Sequence, residues 1–189
     1  MNAHRELVRY LLTQWDRLPS TDWTTQGFGF LRLRAAPNLR VHVWHGALRV
    51  AGVSDIHDHA QWDFQSLILS GHIVNVRYCI GAQGLLHNMA QIVCGVGGGM
   101  EQTAPEPIRL SPGIPEIYAS GDTYMQKAAE IHRSLPADGT VTLIRQVRTD
   151  VETARVFWPY GGEWVDAEPR EAKTAEVRLA VEYALKVWG

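Results

Sequence analysis

The sequence has little of almost everything that marks a specialised class. Two cysteines, Cys79 and Cys94, cannot build a disulfide scaffold in a chain of 189 residues. Both fall in apolar strand patterns and read as small buried hydrophobes with free thiols, as in a reducing cytoplasm. Net charge is only -2 and no run of Lys or Arg occurs, so the electrostatic footprint of a nucleic-acid binder is missing. No apolar run is long enough to cross a bilayer. The opening "MNAHRELVRYLLTQWDRL" carries an early acid and a Trp but no small-residue cleavage site, so it does not read as a signal peptide. Internal repeats and low-complexity segments are also missing.

What is present is an ordinary soluble composition, 46% hydrophobic and 20% charged, at a length suited to one domain (1–189) with a sizeable core. Leu7, Leu11, Trp15 and Leu18 recur at helical spacing and predict an amphipathic helix over about 3–18. A second helix is predicted over about 169–188, with Pro169 near its start and Val177, Ala180, Val181, Ala184 and Leu185 along one face. Between them, from about 28 to 158, short β-rich runs alternate with turns. These include "FGFLRLR", "LRVHVWHG", "ALRVAGVSDIHDH", "FQSLILSG", "HIVNVRYCI", "LLHNMAQIVC", "YMQKAAEIHRS" and "TVTLIRQVR". "CGVGGGMEQTAPEP" reads as the clearest loop. Many short strands at this spacing predict a mainly-β barrel or sandwich with helices at its ends.

The stretch "DIHDHAQWDFQSLILSG", Asp55 to Gly71, holds the first chemical signal. Side chains alternate along a strand, so His57 and His59 share one face while Ile56 and Asp58 take the other. Two imidazoles so placed can chelate one ion, although an isolated pair of this kind is weak evidence. His132 lies in a second strand-like context after Gly121. With His57, His59 and Gly71 in a first motif and Gly121 and His132 in a second, the chain resembles the cupin superfamily, a jelly-roll β-barrel. Within it, "SDIHDH", "LILSG" and "IHRS" are most similar to the cysteine dioxygenase type of thiol dioxygenase. The resemblance spans roughly 28–148 and implies metal ligation by His57, His59 and His132. It also matches "FLRLR" to that family's Tyr-x-Arg element, making Arg32 the substrate-carboxylate residue, with Phe30 at the Tyr position.

The chain departs from the pattern in several places. Where most mononuclear cupins carry a Glu ligand stands Phe64, which favours a three-His site; Asp63 is the carboxylate available if the turn is one residue shorter. The family's Ser-x-His-x-Tyr strand falls on Thr142, Ile144 and Gln146, so its His and Tyr are missing. Lys127 and Ala129 replace the second motif's usual Pro and Gly. These departures leave a cysteine substrate unsupported.

Other residues carry two readings. Arg32 and Arg34 share a strand face, either turned inward as a carboxylate clamp or outward to solvent. Arg145 shares parity with Val141, Leu143 and Val147, which hints at an inward side chain, whereas the family match turns Thr142, Ile144 and Gln146 inward. His42, on one face with Arg40 and Trp44, reads as structural or surface, as do His45, His72 and His87. Asp58 points away from the histidine pair and reads as an orienting or solvent-facing acid. Phe157, Trp158, Tyr160 and Trp164 read as core or helix-docking aromatics. Tyr118 and Tyr124 flank the second motif; Tyr124 is taken as a catalytic candidate beside Arg32, against a packing role.

The resemblance implies a non-heme Fe(II) dioxygenase of a small thiol or carboxylic acid, with Zn, Ni or Mn as other ions for the same ligands. Alternatives are a diketone dioxygenase, an isomerase, or a non-catalytic cupin that binds a small ligand. Expected partners are a small-molecule substrate and O₂, with no nucleic acid and no membrane, and a homodimer left open.

Overall fold

Residues 2–94, 100–165 and 169–188 are described in a computed structural model. Helix α1 (Asn2–Thr13) leads through a 3-10 turn at Trp15–Arg17 into β1 (Trp23–Gln26), β2 (Phe28–Ala36) and β3 (Leu39–Arg49). Then come β4 (Ile56–His57), β5 (Trp62–Ser70), β6 (His72–Cys94), β7 (Met100–Gln102), β8 (Glu106–Pro112) and β9 (Glu116–Ala119). The chain continues with β10 (Thr123–Gln126), β11 (His132–Pro136), β12 (Val141–Arg148), β13 (Thr153–Pro159), β14 (Arg170–Glu171) and α2 (Thr174–Val187).

The strands form two antiparallel sheets in a sandwich-like body. Sheet I has the order β10-β5-β12-β3-β2-β1-β14. Sheet II has the order β11-β4-β13-β6-β7, with β8, β9 and β11 also paired to the long β6. Both faces of sheet I are covered, one by the terminal helices and the other by sheet II. Leu31, Leu33, Val41, Val43 and Val141 pack outward under Val8, Leu12, Val177 and Val181 of the two helices. The opposite face, carrying Phe30, Trp44 and Ile68, turns toward Ile73 of sheet II.

Several predicted boundaries move, each for a local reason. The first helix ends at Thr13, whose hydroxyl donates to Tyr10 O, and Val8 and Leu12 rather than Leu7 form its buried stripe. The second helix starts at Thr174, since Arg170 and Glu171 pair with β1 as a strand. Glu176 then accepts from Lys173 N and Arg170 at the helix start. The β region therefore begins at Trp23 and includes a strand just past Pro169. The two predicted strands on either side of Gly81–Gly84 are one strand, β6, with a register irregularity between Ile80 and Leu85. Of the predicted glycine-rich loop, 95–99 lie outside the described residues, and Met100–Gln102 pairs with β6. Cys79 is exposed rather than buried although it shares the parity of the buried Ile73 and Asn75, because β6 has run past the core by that point and the adjacent Ile80 is exposed too; the side chain of Cys94 lies outside the described residues. Phe157 and Trp158 are core, whereas Tyr160 is exposed.

Two further breaks matter for function. The predicted strand through "ALRVAGVSDIHDH" stops at Arg49 in sheet I and resumes at Ile56 in sheet II. The predicted strand through "YMQKAAEIHRS" likewise leaves sheet I at Gln126 and enters sheet II at His132, turning at Ala129, whose φ is +60°. Both histidine segments therefore sit where the chain crosses between sheets.

The motif glycine at the end of β5 has a steric reason. Gly71 has φ +75°, and a Cβ there would lie 2.4 Å from Thr140 Oγ1 and 2.9 Å from Thr140 Cα. Thr140 cannot swing aside without losing its bonds from His72 N and to His72 O. Gly71→Ala should therefore destabilise by about 2–4 kcal/mol, combining left-handed strain with overpacking. Gly161 is the control, with φ +79° and nothing within 4 Å of its added Cβ, so Gly161→Ala should cost only about 1 kcal/mol. Urea melts of both variants check this; equal losses would overturn the contact argument.

Candidate metal centre

Strand register brings the two histidine segments together. His132 is the cross-strand partner of His57, at the junction of β11 and β4. Two positions after His57, His59 turns its ring onto the same side. The ring centroids lie 4.7 Å apart for His57 and His132, 4.9 Å for His57 and His59, and 5.0 Å for His59 and His132. One ligand nitrogen from each lies within 4.8 Å of the others. Among the described residues this is the cluster able to hold a metal ion.

Two rings have a fixed tautomer. His57 Nδ1 lies 2.9 Å from Asp55 O, and His132 Nδ1 lies 3.2 Å from Glu130 O. A carbonyl can only accept, so both Nδ1 atoms carry the proton and both Nε2 atoms keep a lone pair. Burial lowers the pKa of all three rings. For His59 the nearby His57, His132, His42 and Arg40 lower it further. His132 is pushed down to about 3, mainly by burial and then by His57. Neutral imidazoles with aimed lone pairs are what a divalent transition metal requires, so these residues fit one.

The acids around the pair are already committed to holding the corner. Asp55 pairs with Arg49 and with Arg133 Nε at 3.1 Å. Asp58 accepts from Arg155 N at 2.5 Å and from Arg155 Nε at 2.6 Å, while Arg155 Nη2 donates to Ala129 O. Asp63 accepts from Ala128 N at 2.7 Å, in the turn before His132. That bond removes Asp63 from the cluster, whereas Phe64 faces the site with its ring 4.5 Å from that of His59. On the far side Phe28 stacks on His57 at 4.6 Å.

The histidines open onto a cavity of about 420 Å³ between the sheets. Its floor is the inner face of sheet I, and the register arranges it in rows. One row runs Gln26, Phe30, Trp44; the next runs Thr24, Arg32, His42, Thr142. A third runs Arg34, Arg40, Ile144, Ser66, Tyr124, and a fourth Gln146, Phe64, Gln126. Arg32 lines the cavity, whereas Arg34, at the strand's end, and Arg145, on the other parity, are exposed. The conflict over "TVTLIRQVR" has a simple source. Both of its faces are covered, Val141 and Leu143 by the helices and Ile144 and Gln146 by the cavity.

Arg32 Nε donates to Thr24 Oγ1 at 2.9 Å, which orients the guanidinium and leaves its terminal nitrogens for other partners. Tyr124 also lines the cavity, stacked on Tyr118 at 4.5 Å. Burial raises its pKa, against a smaller opposing pull from Ser66 and Ser134, so its hydroxyl keeps its proton. His45 and His87 make backbone contacts near the surface, and His72 is exposed. Three cavity residues escaped the sequence reading. His42 reads from the sequence as structural or surface, yet its ring is half-buried, stacks on Phe30 and faces the cavity. Its shared parity with Arg32's cross-strand row was the available signal. Arg40 follows from the same parity, and Gln26 lay outside the predicted start of the barrel.

No protein-family model and no curated protein matches this chain.

Proposed function

We propose that the chain is a metal-dependent cupin, a non-heme iron dioxygenase that oxidises a small acid. The observation that carries the reading is a close-set trio of histidines, with His132 buried and His57 and His59 half-buried, at one side of a cavity whose floor presents an oriented arginine. The two-sheet body and the placing of both motifs at sheet crossings are consistent with the jelly-roll resemblance. His57, His59 and His132 would hold the ion, with Zn, Ni or Mn as competing occupants of the same ligand set. When bound, Fe(II) supplies open coordination positions and the redox change that chemistry with O₂ needs.

The remaining work falls to side chains of the chain. Arg32, steadied by Thr24, offers two parallel charge-assisted hydrogen bonds to a carboxylate. Tyr124, kept protonated, donates a hydrogen bond to substrate or O₂ over the floor. Phe28, Phe30, Phe64 and Trp44 exclude water from the reacting region. The Asp58–Arg155–Ala129 contacts hold the two histidine corners at a fixed separation.

Oxygen uptake by the iron-loaded protein, measured against a panel of small carboxylates and thiols, tests this. Arg32→Lys keeps the charge but loses the planar fork, so KM for an acid substrate should rise about tenfold or more with iron content unchanged. An iron-loaded protein that consumes no oxygen with any member of the panel would overturn the dioxygenase reading.

A further inference from the structure

The cavity contains a second guanidinium. Arg40 is half-buried on the same floor as Arg32, one row away and diagonal to it across the β2–β3 ladder. Among the described residues it makes neither an ion pair nor a hydrogen bond, and Arg32 bonds only the Thr24 hydroxyl. Two cations held this close repel each other and lose hydration, a cost that an anion lying between them would offset.

Among the described residues the pocket supplies no such anion. Its lining carboxylates are Asp55 and Asp58, and both are occupied by Arg49, Arg133 and Arg155. The Glu that would bring negative charge into a His₃-acid site is replaced by Phe64. Neutral groups add further donors. Gln26 Nε2, Gln146 Nε2 and Trp44 Nε1 are buried N–H donors without a partner in the cavity lining, where Gln146 Oε1, Ser66 Oγ and His42 Nε2 are unpaired as well. Gln26 and Gln146 are 7% and 3% exposed, so bulk solvent does not satisfy them. Buried donors beside unpaired guanidiniums form a surface built for acceptor oxygens.

We propose that the pocket binds a small dicarboxylate, with Arg40 as a second anion-binding residue beside Arg32. Arg32 takes one carboxylate and Arg40 the other, while the amide groups of Gln26 and Gln146 complete the donor set. A zwitterionic amino acid fits less well, because among the described residues both lining carboxylates, Asp55 and Asp58, are already paired with arginines. The proposal names the substrate class of the site described above and rests on that reading for the reaction, though not for the binding itself.

Calorimetric titration of the full chain, metal-stripped and at fixed ionic strength, with glutarate, butyrate and glutaramide tests it. Glutarate should bind at least about tenfold tighter than butyrate, and glutaramide weakest of the three. Arg40→Gln should weaken glutarate by about tenfold or more and leave butyrate within about twofold, while Arg32→Gln weakens both acids. Arg40→Lys, which keeps the charge should the glutamine variant not fold, should retain part of the glutarate preference. Equal affinities for glutarate and butyrate, or a preference untouched by Arg40 substitution, overturn the proposal. Glutarate preference without oxygen uptake by the iron-loaded protein would overturn the dioxygenase alone, and oxygen uptake with a monoacid and no glutarate preference would overturn the second anion site alone.

Discussion

A His132→Ala protein should lose more than about a hundredfold in affinity for a divalent metal while keeping its fold. Substituting residues that merely support a metal ligand already costs about 10–100-fold, so removal of one of three ligands should exceed that. Two imidazoles would remain, on His57 and His59, and the neighbouring acids are engaged elsewhere. Asp58 is held by Arg155 and Asp63 by Ala128 N, so neither can move in as a replacement without breaking the corner. The fold should persist because its largest apolar cluster lies on the other face of sheet I, beneath α1 and α2. Equilibrium dialysis against Zn(II) and anaerobic Fe(II), with circular dichroism as the check on folding, measures both halves. His72→Ala is the control, since His72 is exposed and belongs to no cluster among the described residues. Full metal occupancy in the His132 variant would remove the three-histidine site.

How far this site was legible in the sequence depended on which physical rule applied. Strand alternation placed His57 and His59 on one side and Asp58 on the other, because that parity follows from backbone geometry alone. The pairing of His132 with His57 was reached through motif resemblance, and its cause is tertiary. The chain breaks at Ala129 and changes sheets, and no periodicity within "YMQKAAEIHRS" announces that crossing. The same limit explains β4, which is too short to register as a strand apart from β3.

Parity was also informative where it was not followed through. Arg32 was identified by resemblance, and Arg40, His42 and Trp44 share one face of the neighbouring strand. Which of the two faces is the cavity floor depends on what covers the other. Here the terminal helices bury Leu31, Leu33, Val41 and Val43, so the polar parity faces the cavity rather than solvent. A hydrophobic pattern alone places apolar residues inside and polar ones outside, and that default hid Arg40 and His42. Sheet I inverts the default: much of its apolar packing lies outside the sandwich, and its interior is furnished for chemistry.

That furnishing should make the metal-free protein acid-sensitive. Burial holds His42, His57, His59 and His132 below the ordinary histidine pKa, in the case of His132 down to about 3. Unfolding exposes each ring and restores a value near 6.5. The unfolded chain then binds more protons than the native one between those limits, so stability rises with pH and is lost as pH falls through about 6.5. The loss stops growing only below the folded value. For His132 alone it amounts to roughly 2 kcal/mol between pH 7 and pH 5, and the other three act in the same direction. The window avoids the ordinary carboxylates, which remain largely ionised above pH 5. A metal held by the three imidazoles would favour the native state and should restore stability at pH 6 by mass action, until protons compete it away at lower pH. Urea melts of chelator-treated protein at half-unit steps from pH 7.5 to 5.0 should show the midpoint falling throughout. His132→Ala should remove roughly 2 kcal/mol of that pH dependence, even though the variant starts less stable. A midpoint flat across this range would mean that these rings are protonated, or open to water, in the folded chain, and would undercut both the neutral ligand set and the closed cavity argued above.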